Sequence, residues 1–181
     1  MVIPNKKAVG IFGGSFDPPH KGHLKISEIS LKKMKFKKIY WIVTKKNPFK
    51  DKPFYSLKER LEKSREAAKK LKRIKVLYVD DKIKSSNTIG VINYFRKIKK
   101  QKNLYLILGS DNLVDFHKWT SWKKIVKLVK LVVFSRKGYD KKGKKATIVK
   151  YLKKKNIIYI KNKYINISSS NIKKKLSKNT Q

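Results

Sequence analysis

Six short apolar runs alternate with helix-forming stretches along this chain, and that alternation restricts the fold more than any other feature. Ala8 to Phe12, Lys38 to Val43, Ile74 to Val79, Leu104 to Leu108, Leu131 to Phe134 and Ile157 to Ile160 are rich in β-branched and aromatic residues and read as strands. Helices are expected between them, from His20 to Lys33, from Ser56 to about Leu71, from Thr88 to Lys99, near Asn112 to Phe116, from Ser121 to Val129, near Lys145 to Lys154 and from Ser169 to Leu176. Ser56 followed three residues later by Glu59 is a capping box, which fixes one of these starts. Asp80 to Asn87 reads as a polar loop, and Gly138 and Gly143 mark the loop after the fifth strand.

Strands joined by helical crossovers return in the same direction and pair in parallel. The chain is therefore expected to form an α/β fold with a doubly wound, open parallel sheet. Such sheets bind ligands beyond the carboxyl ends of their strands, where the strand order reverses. No repeat or linker divides residues 1–181, so one domain is expected.

Lys and Arg number 50 against 11 Asp and Glu, a formal charge of +39, which excludes an acidic solvating chain. The lysines are spread along the whole sequence rather than gathered in one arm or stripe, so they read as solvated helix faces and not as a specific nucleic-acid interface. A positive field of this size still draws in anionic small molecules. Absence of cysteine removes disulfides, thiolate nucleophiles and sulfur-ligated zinc. Lys127 and Lys130 interrupt the longest apolar stretch, from Ile125 to Phe134, so no membrane span is expected, and with no signal-peptide pattern at Met1 to Lys7 the expected location is cytoplasmic.

The chemistry concentrates in Gly13-Gly14-Ser15-Phe16-Asp17-Pro18-Pro19-His20-Lys21-Gly22-His23, where the first strand turns into the first helix. Two glycines allow close approach of the backbone to a phosphate, and a helix N-terminus offers unpaired N–H groups and partial positive charge. His20 and His23, two of only three histidines, share one face at the helix start and are placed to grip one anion. Neither a G-x-G-x-x-G fingerprint nor a P-loop occurs, and metal binding by the histidine pair is an alternative that no acidic or cysteine partner at helical spacing supports.

Gly13 to His23 resembles the nucleotidyltransferase signature that contains H-x-G-H. Three further segments narrow the resemblance to the bacterial nicotinate-nucleotide adenylyltransferase family. Gly109-Ser110-Asp111-Asn112-Leu113 resembles that family's G-A-D-x-L, Lys118-Trp119-Thr120-Ser121-Trp122 its K-W-x-x-W, and Ile167 to Lys173 its I-S-S-T-x-I-R. H-x-G-H alone also fits relatives that adenylylate other acceptors, such as pantetheine phosphate; a basic nucleic-acid-binding module is the more distant alternative.

The resemblance implies a Rossmann-like nucleotidyltransferase fold and transfer of the adenylyl group of ATP to nicotinate mononucleotide, with Mg2+, giving deamido-NAD and pyrophosphate. It implies that His20 and His23 act on the ATP phosphates, with Gly13, Gly14, Ser15, Phe16, Lys50, Ser169, Ser170 and Lys173 around them. Ser86, Thr88, Asp111, Trp119 and Arg136 fall to the mononucleotide side, Trp119 as a stacking surface for the pyridine ring. The sequence departs from the family at Lys173, where Arg is usual, at Gly90 and Val91 in the T-x-D-T segment, and at Ser110, where Ala is usual.

Overall fold

The computed structural model describes residues 7–46, 52–153, 155–162 and 172. Its strands are β1 (Val9–Gly14), β2 (Lys38–Val43), β3 (Ile74–Leu77), β4 (Leu104–Gly109), β5 (Lys130–Phe134) and β6 (Ile157–Ile160). They form one sheet in the order β3-β2-β1-β4-β5-β6, with every pair parallel. The order reverses between β1 and β4, so the crevice at their carboxyl ends is the expected ligand edge.

Alternation along the strands explains the two-sided core. Val9 and Ile11, Leu104, Leu106 and Leu108, and Leu131 and Val133 are buried on one face. Phe12, Ile39, Trp41, Val43, Ile107, Val132 and Phe134 are buried on the other. A strand covered on both faces reads as a continuous apolar run, which is the pattern these segments show. Helices α1 (Lys21–Lys33) and α2 (Leu57–Ala68) pack on the second face, whereas α4 (Thr88–Lys97) and α6 (Trp122–Leu128) pack on the first. The expected capping box starts α2: the Ser56 side chain accepts from the Glu59 N–H and Glu59 reaches back to the Ser56 N–H. Those hydrogen bonds, the Ser56 hydroxyl first, hold the Glu59 carboxyl below the usual carboxylate range.

The departures from the sequence reading are local. β1 continues through Gly13 and Gly14, which pair with Ile42 and Val43 of β2. Part of the expected Asp80 to Asn87 loop is a short helix, α3 (Asp80–Ile83), too brief to show helical periodicity. After β4, α5 (Ser110–Asp115) starts two residues early and runs into a 3-10 turn at Phe116–Lys118. The single helix expected near Lys145 to Lys154 is instead two, α7 (Asp140–Lys144) and α8 (Thr147–Tyr151), separated by Ala146 in extended backbone. The helix expected from Ser169 to Leu176 lies outside the described residues apart from residue 172. Among the described residues no helix is long and apolar enough to cross a membrane.

Gly143, expected in a loop, lies inside α7 because the helix crosses α5 closely there. A Cβ at 143 would stand 2.8 Å from the Ser110 carbonyl oxygen, which is backbone and cannot rotate away. Gly143→Ala is expected to lower stability by about 1–2 kcal/mol, since the steric cost exceeds the gain in helix propensity. Thermal melting checks this; an unchanged or raised midpoint would contradict the close crossing.

Candidate active site

His20 is the N-cap of α1, in extended backbone, and its Nδ1 accepts the Gly22 N–H at 3.1 Å. Nδ1 of His23 accepts the His20 N–H, also at 3.1 Å. The H-x-G-H spacing is thus a capping box in which histidines replace the usual Ser/Thr and Glu/Gln, satisfying donors at the start of the helix. A ring nitrogen that accepts a hydrogen bond carries no proton, so each neutral imidazole carries its proton on Nε2. The ring centroids lie 3.9 Å apart. Backbone capping therefore fixes two adjacent rings in one tautomer, as Nε2–H donors at a helix N-terminus.

An aromatic floor holds His23 in place. Phe16 is 2% exposed, and its ring lies 4.8 Å from that of His23 and stacks on Trp41 at 4.9 Å. Trp41 donates its Nε1–H to Ser27 Oγ at 2.8 Å, and that hydroxyl donates to the His23 carbonyl at 2.9 Å. Phe16 thus belongs to the support beneath the histidine, with its own backbone at a positive φ of 48°. A Cβ at Gly13 would meet nothing within 4 Å, so open space lies over the end of β1.

On the β2 and β3 side, Arg60 of α2 is 2% exposed, and among the described residues its hydrogen bonds go to backbone carbonyls. Nε donates to Tyr55, Nη1 to Ser15 at 2.9 Å and to Thr44 at 2.7 Å, and Nη2 to Lys45. Burial pulls its pKa down from the ordinary arginine value, and the carboxylates of Asp17 and Asp80 pull it back. Asp17, also buried, accepts the N–H groups of Phe54 and Tyr55 at 2.9 Å. Asp80 Oδ2 accepts from the Thr44 hydroxyl, the Lys45 N–H and Ser86 Oγ, the last at 2.7 Å. Thr88 opens α4 behind Asn87, whose side chain accepts the Gly90 N–H; a Cβ at Gly90 would stand 3.1 Å from both Asn87 Oδ1 and Ile83 Cδ1.

On the β4 and β5 side, Arg136 Nη1 meets Asp111 Oδ2 at 3.0 Å. Ser110 Oγ donates to Asp140 Oδ1 at 2.7 Å, and both oxygens accept the Arg136 N–H at 3.0 Å. The serine that departs from the family pattern therefore helps to fix the loop that carries Arg136. Trp119 is half-buried, its ring stacked on Phe116 at 4.6 Å and 22°.

Three comparisons bear on this arrangement. The sequence profile of the cytidylyltransferase-like family matches residues 11–175. A Pelagibacter ubique protein named "Probable nicotinate-nucleotide adenylyltransferase" is 43% identical over 169 residues, covering 93% of each chain. The chain belongs to the nicotinate-nucleotide adenylyltransferase family. A Helicobacter pylori member of that name is 38% identical over 137 residues, 74% of this chain and 78% of its own. Among solved structures, the Plasmodium falciparum nicotinic acid mononucleotide adenylyltransferase complexed with NaAD shares the fold, with a TM-score of 0.69, 20% identity, and coverage of 92% of this chain and 82% of that one.

Within this adenylyltransferase framework, His20 and His23 come together at β1, Asp111 and Arg136 across β4 and β5, and Ser86 joins the β2 side through Asp80. Lys50, Ser169, Ser170 and Lys173 lie outside the described residues. Sequence reasoning missed Arg60, Asp80 and Asp140. Arg60 had one available signal: only five basic residues are arginine, in a chain that otherwise uses lysine.

Proposed function

We propose that the chain acts as one cytoplasmic domain that transfers the adenylyl group of ATP to nicotinate mononucleotide, forming deamido-NAD and pyrophosphate in NAD biosynthesis. A phosphate oxygen of the mononucleotide attacks the α-phosphorus in line. The new P–O bond forms as the bond to the bridging oxygen breaks, and the electron pair leaves with pyrophosphate. No covalent enzyme intermediate is needed, so the protein's task is to hold two anions in line and stabilise charge on the transferring phosphorus and leaving group.

The observation that carries this reading is the pair of capped imidazoles at the carboxyl end of the central strand, both fixed as Nε2–H donors. Donors oriented before the reaction need no reorganisation as charge develops. Gly13 supplies open backbone beside them, continued by Gly14 and Ser15. Lys50, Ser169, Ser170 and Lys173 join the phosphate site on the family resemblance. Trp119, held flat by Phe116, supplies a π surface for the pyridine ring, and Ser86, Thr88, Asp111 and Arg136 supply polar groups toward the nucleotide.

Among the described residues no group of three or more His, Cys, Asp or Glu side chains is placed to hold a metal ion. The carboxylates of Asp17, Asp80 and Asp111 already accept hydrogen bonds from the protein. Among the described residues the donors are thus not grouped for a resident ion, and in this reading Mg2+ enters with ATP as part of the substrate. Pyrophosphate release from ATP and Mg2+ is expected with nicotinate mononucleotide and not with pantetheine phosphate. The reverse preference, or salt-sensitive nucleic-acid binding without turnover, would overturn the reading.

A further inference from the structure

A continuous, partly buried path of hydrogen bonds links the phosphate loop to the loop that precedes α4. It runs from the Ser15 carbonyl to Arg60, from Arg60 to the carbonyls of Thr44 and Lys45, and from the Thr44 hydroxyl and Lys45 N–H to Asp80. Asp80 then accepts from Ser86. The two residues after β2 are thus clamped from both sides, by a guanidinium on their carbonyls and a carboxylate on their donors. Arg60 and Asp80 are 2% and 5% exposed, so the two side chains that organise the path are themselves shielded from water.

Resting on the function proposed above, we infer that Arg60 and Asp80 are positioning residues that hold the ATP side and the mononucleotide side of the site in register. Neither touches the reacting atoms. In-line transfer between two separately bound substrates depends on their relative placement, and a displacement of about 1 Å is enough to lower turnover ~100-fold. Each half of the site keeps its own binding groups when the path is cut, so affinity for either substrate is preserved while the reaction slows. A guanidinium is required because one fork reaches carbonyls on three segments, around Ser15, Thr44–Lys45 and Tyr55. Lysine keeps the charge and loses the fork.

The test is steady-state kinetics with ATP and nicotinate mononucleotide on Arg60→Lys, Asp80→Asn and the double variant, each with a thermal melt. Folded single variants are expected to lose ~10–100-fold in kcat with both KM values changed by less than about threefold. Because both substitutions cut one path, the double variant is expected to fall no more than about threefold below the worse single variant. A kcat within about threefold of wild type, or losses that multiply in the double variant, would overturn the inference. A merely structural role would lower turnover in proportion to the unfolded fraction and leave the losses independent. Should Arg60→Lys not fold, Asp80→Asn and Thr44→Val form the same cycle across the Thr44–Asp80 hydrogen bond and decide by the same criteria. A wild-type chain inactive with every acceptor refutes the proposed function itself; an active wild type with unaffected variants refutes only the positioning path.

Discussion

His20→Asn and His23→Gln are expected each to lower turnover ~100-fold while the protein melts close to wild type, which separates what these residues do for the helix from what they do for the reaction. Both imidazoles cap α1 through Nδ1. Asparagine is a favoured N-cap, and glutamine three residues on completes an ordinary capping box, so both substitutions keep the backbone acceptors. Neither provides an N–H donor at the distance and direction of imidazole Nε2. If those donors meet ATP phosphate oxygens in the transition state, kcat and kcat/KM fall together. The alanine variants serve as the contrast, since they lose the cap as well and should melt lower by an amount corresponding to about 1 kcal/mol per site. Pyrophosphate release and thermal melts on the four variants measure both effects. Turnover within about threefold of wild type in the Asn and Gln variants would remove the histidines from the chemistry and leave them as caps alone.

Why the capping role was not visible in advance, while the pairing was, is a matter of which physics a spacing encodes. Three-residue separation at a helix start brings His20 and His23 together whatever their atoms do. Which nitrogen accepts depends on His20 standing outside the helix as N-cap rather than within its first turn, a boundary that sequence patterns locate poorly. The parallel sheet was legible because strands buried on both faces are apolar throughout and each is followed by a helical stretch. The Asp111–Arg136 pair was not legible, since it depends on β4 and β5 being neighbours in the sheet, which brings together residues 25 positions apart. The division into α7 and α8 was not legible, because Gly143 marks a tertiary contact with Ser110 rather than a turn.

Arg60 was hidden for a different reason. The innermost positions of α2 are Arg60, Ser64 and Ala68, spaced by four, while Leu57 and Leu61 are only partly buried. A search for an apolar stripe selects the leucines and leaves the arginine among solvated charges. The signal lay in the letter itself. Four of the five arginines, Arg60, Arg73, Arg96 and Arg136, make hydrogen bonds to named acceptors. Of these, Arg60 spreads its guanidinium over four carbonyls, a task for which lysine has no equivalent fork.

Arg60→Met is accordingly expected to destabilise the fold by about 3–5 kcal/mol, the range found when one partner of a buried charge cluster is removed. Methionine fills much of the same volume, so cavity formation is a minor contribution. The cost comes from what remains. The carbonyls of Ser15, Thr44, Lys45 and Tyr55 lose the guanidinium as donor, and the buried carboxylates of Asp17 and Asp80 lose their nearby positive charge. Replacing a whole buried ion pair with apolar groups can be neutral, but these acceptors are mostly backbone and cannot be replaced along with the arginine. For a chain of this size the loss corresponds to a fall in melting temperature of roughly 6–20 °C. Arg65→Met provides the control on the same helix, since Arg65 is exposed and its substitution should stay within about 0.5 kcal/mol of wild type. Equal melting temperatures for the two variants would mean that the carbonyl fork contributes nothing to holding these loops together.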